Sequence, residues 1–128
     1  MVIVLFSCNT DKQMLVGFWV VEEAYVKNNG EKINLGYNGL YFNDNGHCEL
    51  PVIFTDYYIS KANANWELVE EGKQHFAIIT PNDNAESSKY FSGKYTYYFF
   101  NDPVRRLHKM QLESDRVKMI CSRFLTRY

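Results

Sequence analysis

From Leu15 onward, apolar and polar residues alternate in short runs, and most runs end in a cluster of Asn, Asp and Gly. Alternation with a period of two is the mark of a half-buried β-strand, and no long stretch carries a 3.6-residue apolar period. The pattern predicts a first strand over 15–27, stopped by Asn28-Asn29-Gly30. Strands over 40–43 and 47–54 flank the turn Asp44-Asn45-Gly46, and strands over 64–70 and 73–80 flank Glu71-Gly72. Residues 81–89 are polar and turn-rich and read as a loop. Strands over 93–100 and 106–113 flank Asn101-Asp102-Pro103, and the last hairpin turns at Ser114-Asp115 into a strand over 116–125. Residues 55–63 fit an extra strand, a short helix or a rim loop.

Eight strands joined in sequence by short turns remove their exposed edges by closing on themselves. The expected fold class is therefore all-β, an eight-stranded antiparallel up-and-down β-barrel. Side-chain parity points Trp19, Val21, Leu40, Phe42, Cys48, Leu50, Val52, Trp66, Leu68, Phe76 and Ile78 inward. On the later strands it points Tyr95, Tyr97, Phe99, Met110, Leu112, Val117, Met119 and Cys121 inward. Glu23 and Arg123 face the interior on the same parity, and His108 shares the face of Met110. The strand over 93–100 has aromatic residues on both faces, so parity alone does not orient it.

Composition sharpens this picture. Aromatic residues make up 16% of the 128-residue chain, which favours strands, and the length suits one domain. A net charge of −1 implies no general attraction to nucleic acid. Yet residues 89–128 hold nine Lys and Arg against Asp102, Glu113 and Asp115. That basic third is either an anion-binding face or a set of strands paired with acidic neighbours.

The opening run Val2-Ile3-Val4-Leu5-Phe6-Ser7-Cys8 resembles the lipobox of bacterial lipoproteins, with Leu5 three places before Cys8 and Ser7 directly before it. The resemblance implies cleavage before Cys8, lipidation of Cys8, and residence in the periplasm or at the cell surface, anchored to the outer membrane. Residues 1–13 are then a signal remnant, lipobox cysteine and polar tether, and residues 14–128 the barrel domain. The same apolar run also fits a buried N-terminal strand. Cys48 and Cys121 fall on strands well apart in the sheet and are expected as buried free thiols.

Gly17-Phe18-Trp19 at the head of the first strand resembles the Gly-x-Trp motif of the lipocalins, and Arg123 on the last strand matches that family's late arginine. Leu40-Tyr41-Phe42 before Asp44-Asn45-Gly46, and Trp66-Glu67-Leu68 before Glu71-Gly72-Lys73, are similar to the small lipocalin-like domains of bacterial lipoproteins. The resemblance implies that Arg123 lies over the Trp19 ring, with the first and last strands as neighbours and Glu22 near Lys118 outside. Ile120-Cys121-Ser122-Arg123-Phe124 also resembles the end of the fatty-acid-binding proteins, but Leu125 stands where their clamping tyrosine would be. Arg123 is thus expected to be structural rather than a carboxylate clamp.

His47, His75 and His108 have no metal-ligand spacing, and neither a phosphate loop nor a Gly-x-Ser-x-Gly elbow is present. No cofactor, metal or catalytic residue is expected, and the protein is read as a monomeric non-enzyme. Glu23, Tyr25, Trp66, Tyr97 and His108 are the candidate lining of a pocket for a small apolar or amphipathic molecule. The alternative is a barrel filled by its own side chains, with an outer aromatic patch around Tyr57, Tyr58, Tyr90 or Phe91 that binds a protein or polysaccharide. An integral outer-membrane barrel is a third reading, opposed by Glu67, Lys94 and Lys118 on the outer face.

Overall fold

A computed structural model describes residues 10–56 and 61–124 of the chain. Among them lie ten strands: β1 (Gly17–Val26), β2 (Leu35–Tyr37), β3 (Gly39–Phe42), β4 (His47–Leu50), β5 (Val52–Ile53), β6 (Ala62–Glu71), β7 (Gln74–Pro81), β8 (Gly93–Asp102), β9 (Leu107–Glu113) and β10 (Val117–Phe124). Eight of them close into an antiparallel barrel in the order β1-β10-β9-β8-β7-β6-β4-β3, while β2 and β5 form a separate two-stranded ribbon. Closure pairs Phe18 with Tyr41 on one side of β1 and Val21 with Cys121 on the other.

The strand expected over 47–54 is broken. Pro51 has no N–H to give to a ladder, and the chain splits there into β4 and β5. Two further corrections concern which way side chains face. In the β6–β7 hairpin Glu71 pairs with Gln74, so Trp66 stands opposite Ile79 and Leu68 opposite Ala77. Partners across a ladder share a face, which sends Ala77 and Ile79 inward and Phe76 and Ile78 outward, the reverse of the expected parity. In β1 the register with β10 slips between Val21 and Glu23. This β-bulge inserts Glu22, and beyond it Ala24 takes the inward place while Glu23 is exposed on the outside. Glu22 consequently meets Lys109 and Arg105 rather than Lys118.

Two short helices lie where sequence predicts a tether and a loop. Residues 10–15 form α1, and Glu86–Phe91 form α2. Each covers one end of the barrel. Leu15 of α1 is fully buried at the end where Trp19 sits, and Phe91 of α2 is fully buried at the other. Asp56 fastens α2 by accepting hydrogen bonds from the Ser87 N–H and hydroxyl, at 2.9 and 2.8 Å, and Asp83 holds the preceding turn through the Ala85 N–H.

Between the helices the interior is lined by buried apolar side chains. Trp19, Leu40, Phe42, Leu50, Tyr95, Met110, Leu112, Val117 and Met119 are all buried, and Trp66 packs its edge on Phe42 at 4.9 Å between centroids. Trp66 also donates from Nε1 to the Asn43 carbonyl at 2.8 Å, so its polar atom is satisfied within the core. This apolar interior, with Glu67 and Lys94 exposed outside, is the inverse of a membrane-spanning barrel, whose lumen is polar and whose outer band is apolar.

Cys48 and Cys121 are free and buried, and burial pushes both thiols well above their ordinary pKa. Because the thiolate is the reactive species, neither should react in the folded protein. In a Cys8→Ser chain at pH 8, an aromatic disulfide reagent should label no cysteine until denaturant is added, and two thereafter. A fast native reaction would place one of these thiols outside the core.

Candidate functional site

The residues at the Trp19 end solve a specific problem. A helix leaves its last carbonyls without N–H partners, and α1 ends inside the mouth of an apolar barrel. Trp19 Nε1 donates to the Leu15 carbonyl at 2.9 Å. Arg123 donates from Nη1 to the Val16 carbonyl at 2.9 Å and from Nη2 to that of Met14. Its guanidinium carbon lies 4.1 Å from the Trp19 ring centroid, so the same cation also stacks on the indole face. A positive charge at a helix C-terminus opposes the negative end of the helix dipole as well.

Gly17 completes the arrangement. Its φ of +120° is a conformation L side chains rarely adopt, and a Cβ there would stand 3.1 Å from Arg123 Nη1. The Gly-x-Trp spacing thus has a local cause. Glycine lets the chain turn out of α1 past the guanidinium, and two residues later the inward position of β1 delivers the tryptophan beneath it.

Asp11 of α1 adds polar contacts at this end. The Tyr97 hydroxyl donates to its carboxylate at 2.6 Å, and His75 lies between two carboxylates, with Nδ1 3.6 Å from Asp11 and Nε2 3.0 Å from Glu70. The opposite end repeats the logic of α1. The Tyr95 hydroxyl donates to the Phe91 carbonyl at 2.7 Å, and Arg116 Nη2 donates to the carbonyls of Lys89 and Ser92.

The candidate ligand-lining residues do not converge. Tyr97 and His108 lie at the Trp19 end, Trp66 is in the buried core, and Glu23 and Tyr25 are on the outer face toward the other end. Glu23 instead lines an open groove of about 690 Å³ between β1 and residues 32–38, with Lys32, Asn34 and Phe54. A smaller cleft of about 290 Å³ lies at the barrel rim beside α1, lined by Met14, Trp19, Phe99, Phe100, Asn101, His108, Lys109 and Arg123. Cys8, Tyr57 and Tyr58 lie outside the described residues. Phe91 is buried, so it contributes nothing to an outer patch.

An outer apolar patch does exist, on different residues. Phe18 and Tyr41 are cross-strand partners with outward side chains, 46% and 38% exposed, next to Val20 and Tyr37. Phe124 adds to it from the neighbouring β10 and is 81% exposed. Gly39 makes room for the patch: a Cβ there would lie 2.2 Å from Tyr37 Oη and 2.8 Å from Phe18 Cε1, so both rings lean over a bare stretch of backbone. The signal was in the alternation itself, which puts Phe18, Val20 and Tyr41 at outward positions where polar residues are the rule.

The basic third is largely paired. Lys94 meets Glu71, Arg105 meets Asp102 and Glu22, Lys109 meets Glu22, and Arg116 and Arg123 serve helix carbonyls. Among the described residues no three His, Cys, Asp or Glu side chains gather as a metal site. Comparison of the chain with protein-family models, curated proteins and solved structures found no match.

Arg123→Ala removes a cation–π contact and leaves two helix carbonyls without their donor. It should lower unfolding free energy by about 2–4 kcal/mol in urea. Arg123→Lys should recover only part of this, because an ammonium has no planar fork. Gly17→Ala should lose about 1–3 kcal/mol through its positive φ. If Arg123→Ala were as stable as the parent chain, the clasp would be incidental.

Proposed function

We propose that this chain is a non-enzymatic, lipocalin-like interaction module of a bacterial lipoprotein, held at the outer membrane through Cys8, which binds a protein partner on its outer face. The observation that carries the reading is the Phe18–Tyr41 pair, exposed with Val20, Tyr37 and Phe124 on the outer face. Leu15 and Phe91 are buried at the two ends of the barrel under short helices, so the site is sought outside. Contiguous apolar surface on a folded domain marks a place where another surface docks.

Protein is favoured over polysaccharide by the composition of the patch. Sugar hydroxyls need polar side chains beside the rings that stack on them, since a buried hydroxyl without a partner is costly. Phe18, Val20 and Phe124 offer none, and the Tyr37 and Tyr41 hydroxyls are the polar groups that the five patch side chains supply. The lipobox supports the anchor, and its place two residues before α1 would set the Trp19 end toward the bilayer. The patch runs along β1 and β3 from that end and would remain accessible from the side.

A photoreactive phenylalanine analogue at position 41 should give one discrete crosslinked species on intact cells, while the same analogue at Glu67 should give none. Gly39→Ala must push the Tyr37 ring aside and should weaken the crosslink at least several-fold while the barrel stays folded. Equal crosslinking at both positions, or at neither, would overturn the reading. The anchor is checked separately: labelled palmitate should be incorporated by the parent chain and lost in Cys8→Ser.

A further inference from the structure

The cleft at the rim beside α1 lies apart from the outer patch and has a different chemistry. Its floor is aromatic, formed by the half-buried Phe99 next to the fully buried Trp19, 6.3 Å away between centroids, and Met14 forms one wall. Among the described residues the polar lining consists of Asn101, His108, Lys109 and Arg123, and no carboxylate belongs to it. Glu22, which pairs with Lys109, lies on the outer face of the barrel and does not line the cleft.

Two features indicate what this lining would hold. A guanidinium carries five N–H donors, and Arg123 uses one from Nη1 and one from Nη2 on helix carbonyls. His108 is oriented by Nδ1, 2.9 Å from Asn101 Oδ1, and Asn101 and His108 are cross-strand partners. His108 in turn pairs with Arg123 across β9 and β10, so the three side chains stand in one row on adjacent strands. The volume, about 290 Å³, is roughly ten times the share of one water in the liquid, far more than a bare anion requires. The rest leaves room for an apolar body beside the anion.

We propose that this rim cleft binds a small arylalkyl carboxylate, its ring against Phe99 and Met14, with Trp19 buried behind Phe99, and its carboxylate facing the Asn101–His108–Arg123 row. The carboxylate accepts from the remaining guanidinium donors and from the imidazole. The ring takes the place of water over the aromatic floor. This binding needs no opening of the barrel, because every residue involved already borders the cleft, and it does not depend on the proposed docking of a protein at the Phe18–Tyr41 patch.

The test uses the full chain carrying Trp66→Phe, so that Trp19 is its one tryptophan. The probe is 4-phenylbutyrate, with 4-phenylbutanol and 4-phenylbutylamine as neutral and cationic controls. Saturable change of Trp19 fluorescence is expected with the carboxylate, at least tenfold tighter than with the alcohol, and none with the amine. His108→Glu places a carboxylate in the row and should weaken 4-phenylbutyrate at least tenfold while admitting the amine. Asn101→Asp, on the neighbouring strand, should do the same and serves if His108→Glu fails to fold. Equal binding of acid and alcohol would reduce the cleft to an apolar surface and overturn the proposal. So would the absence of saturation up to millimolar probe, or unchanged binding in a folded variant.

Discussion

The carbonyl groups at the ends of two short helices constrain the whole molecule. A barrel of eight strands satisfies its backbone by pairing each strand with two neighbours, but its ends remain open. This chain covers them with helical turns, and each turn brings unpaired carbonyls against an apolar interior, where leaving them unbonded is unfavourable. The solution is the same at both ends. An inward aromatic residue donates its one polar hydrogen, from Trp19 at one end and Tyr95 at the other, and an arginine flanking or ending β10 takes the rest. Arg116 and Arg123 thus make the last strand a tie between two plugs. Two of the nine Lys and Arg in the C-terminal third are thus committed to that duty, and Lys94, Arg105 and Lys109 pair with carboxylates of the chain itself.

Covering both ends is the reason the proposed recognition lies on the outside. Once Leu15 and Phe91 are buried beneath the helices, core residues are no longer the surface that a ligand meets. What remains distinctive is where the alternation fails on the outer face. Phe18, Val20 and Tyr41 occupy positions that a solvated strand would give to polar residues. Gly39 supports the same conclusion from the backbone, since a missing side chain there lets Tyr37 and Phe18 lie close to the sheet. An aromatic ring over a strand glycine shields the peptide from water and restores part of the packing the glycine lacks.

The barrel was legible because its information is local. A period of two and turn-forming Asn, Asp and Gly locate each hairpin, and up-and-down order then requires only nearest-neighbour pairing. Gly17, Trp19 and Arg123 were legible as a motif, though not its purpose, since the helix they hold was read as a tether. A helix as short as 10–15 contains too few residues for an amphipathic period to emerge, and α2 lacks a side-chain cap at Ala85. Facing was lost where apolar residues run consecutively. Phe76-Ala77-Ile78-Ile79 fits either face, and the choice is made by the Glu71–Gln74 pairing at the turn. Glu23 was misplaced for another reason: a bulge adds one residue and reverses the parity of everything after it. The expected pocket of Glu23, Tyr25, Trp66, Tyr97 and His108 depended on unbroken parity over four strands, and one extra residue in β1 turned Glu23 and Tyr25 outward.

That same bulge decides what β1 turns inward. Glu22 is the inserted residue, and its carboxylate reaches Lys109 and Arg105 on the outside of the barrel. Among the described residues the rim cleft has Asn101, His108 and Arg123 in its lining and no carboxylate. Had β1 continued without a bulge, Glu23 would have pointed into the barrel in the place now held by Ala24. An isolated carboxylate there would have required a buried cation of its own. Ala24, fully enclosed, fits the core without such a demand. The irregularity that defeats a simple reading of β1 thus keeps the interior apolar, the condition on which the closed barrel depends.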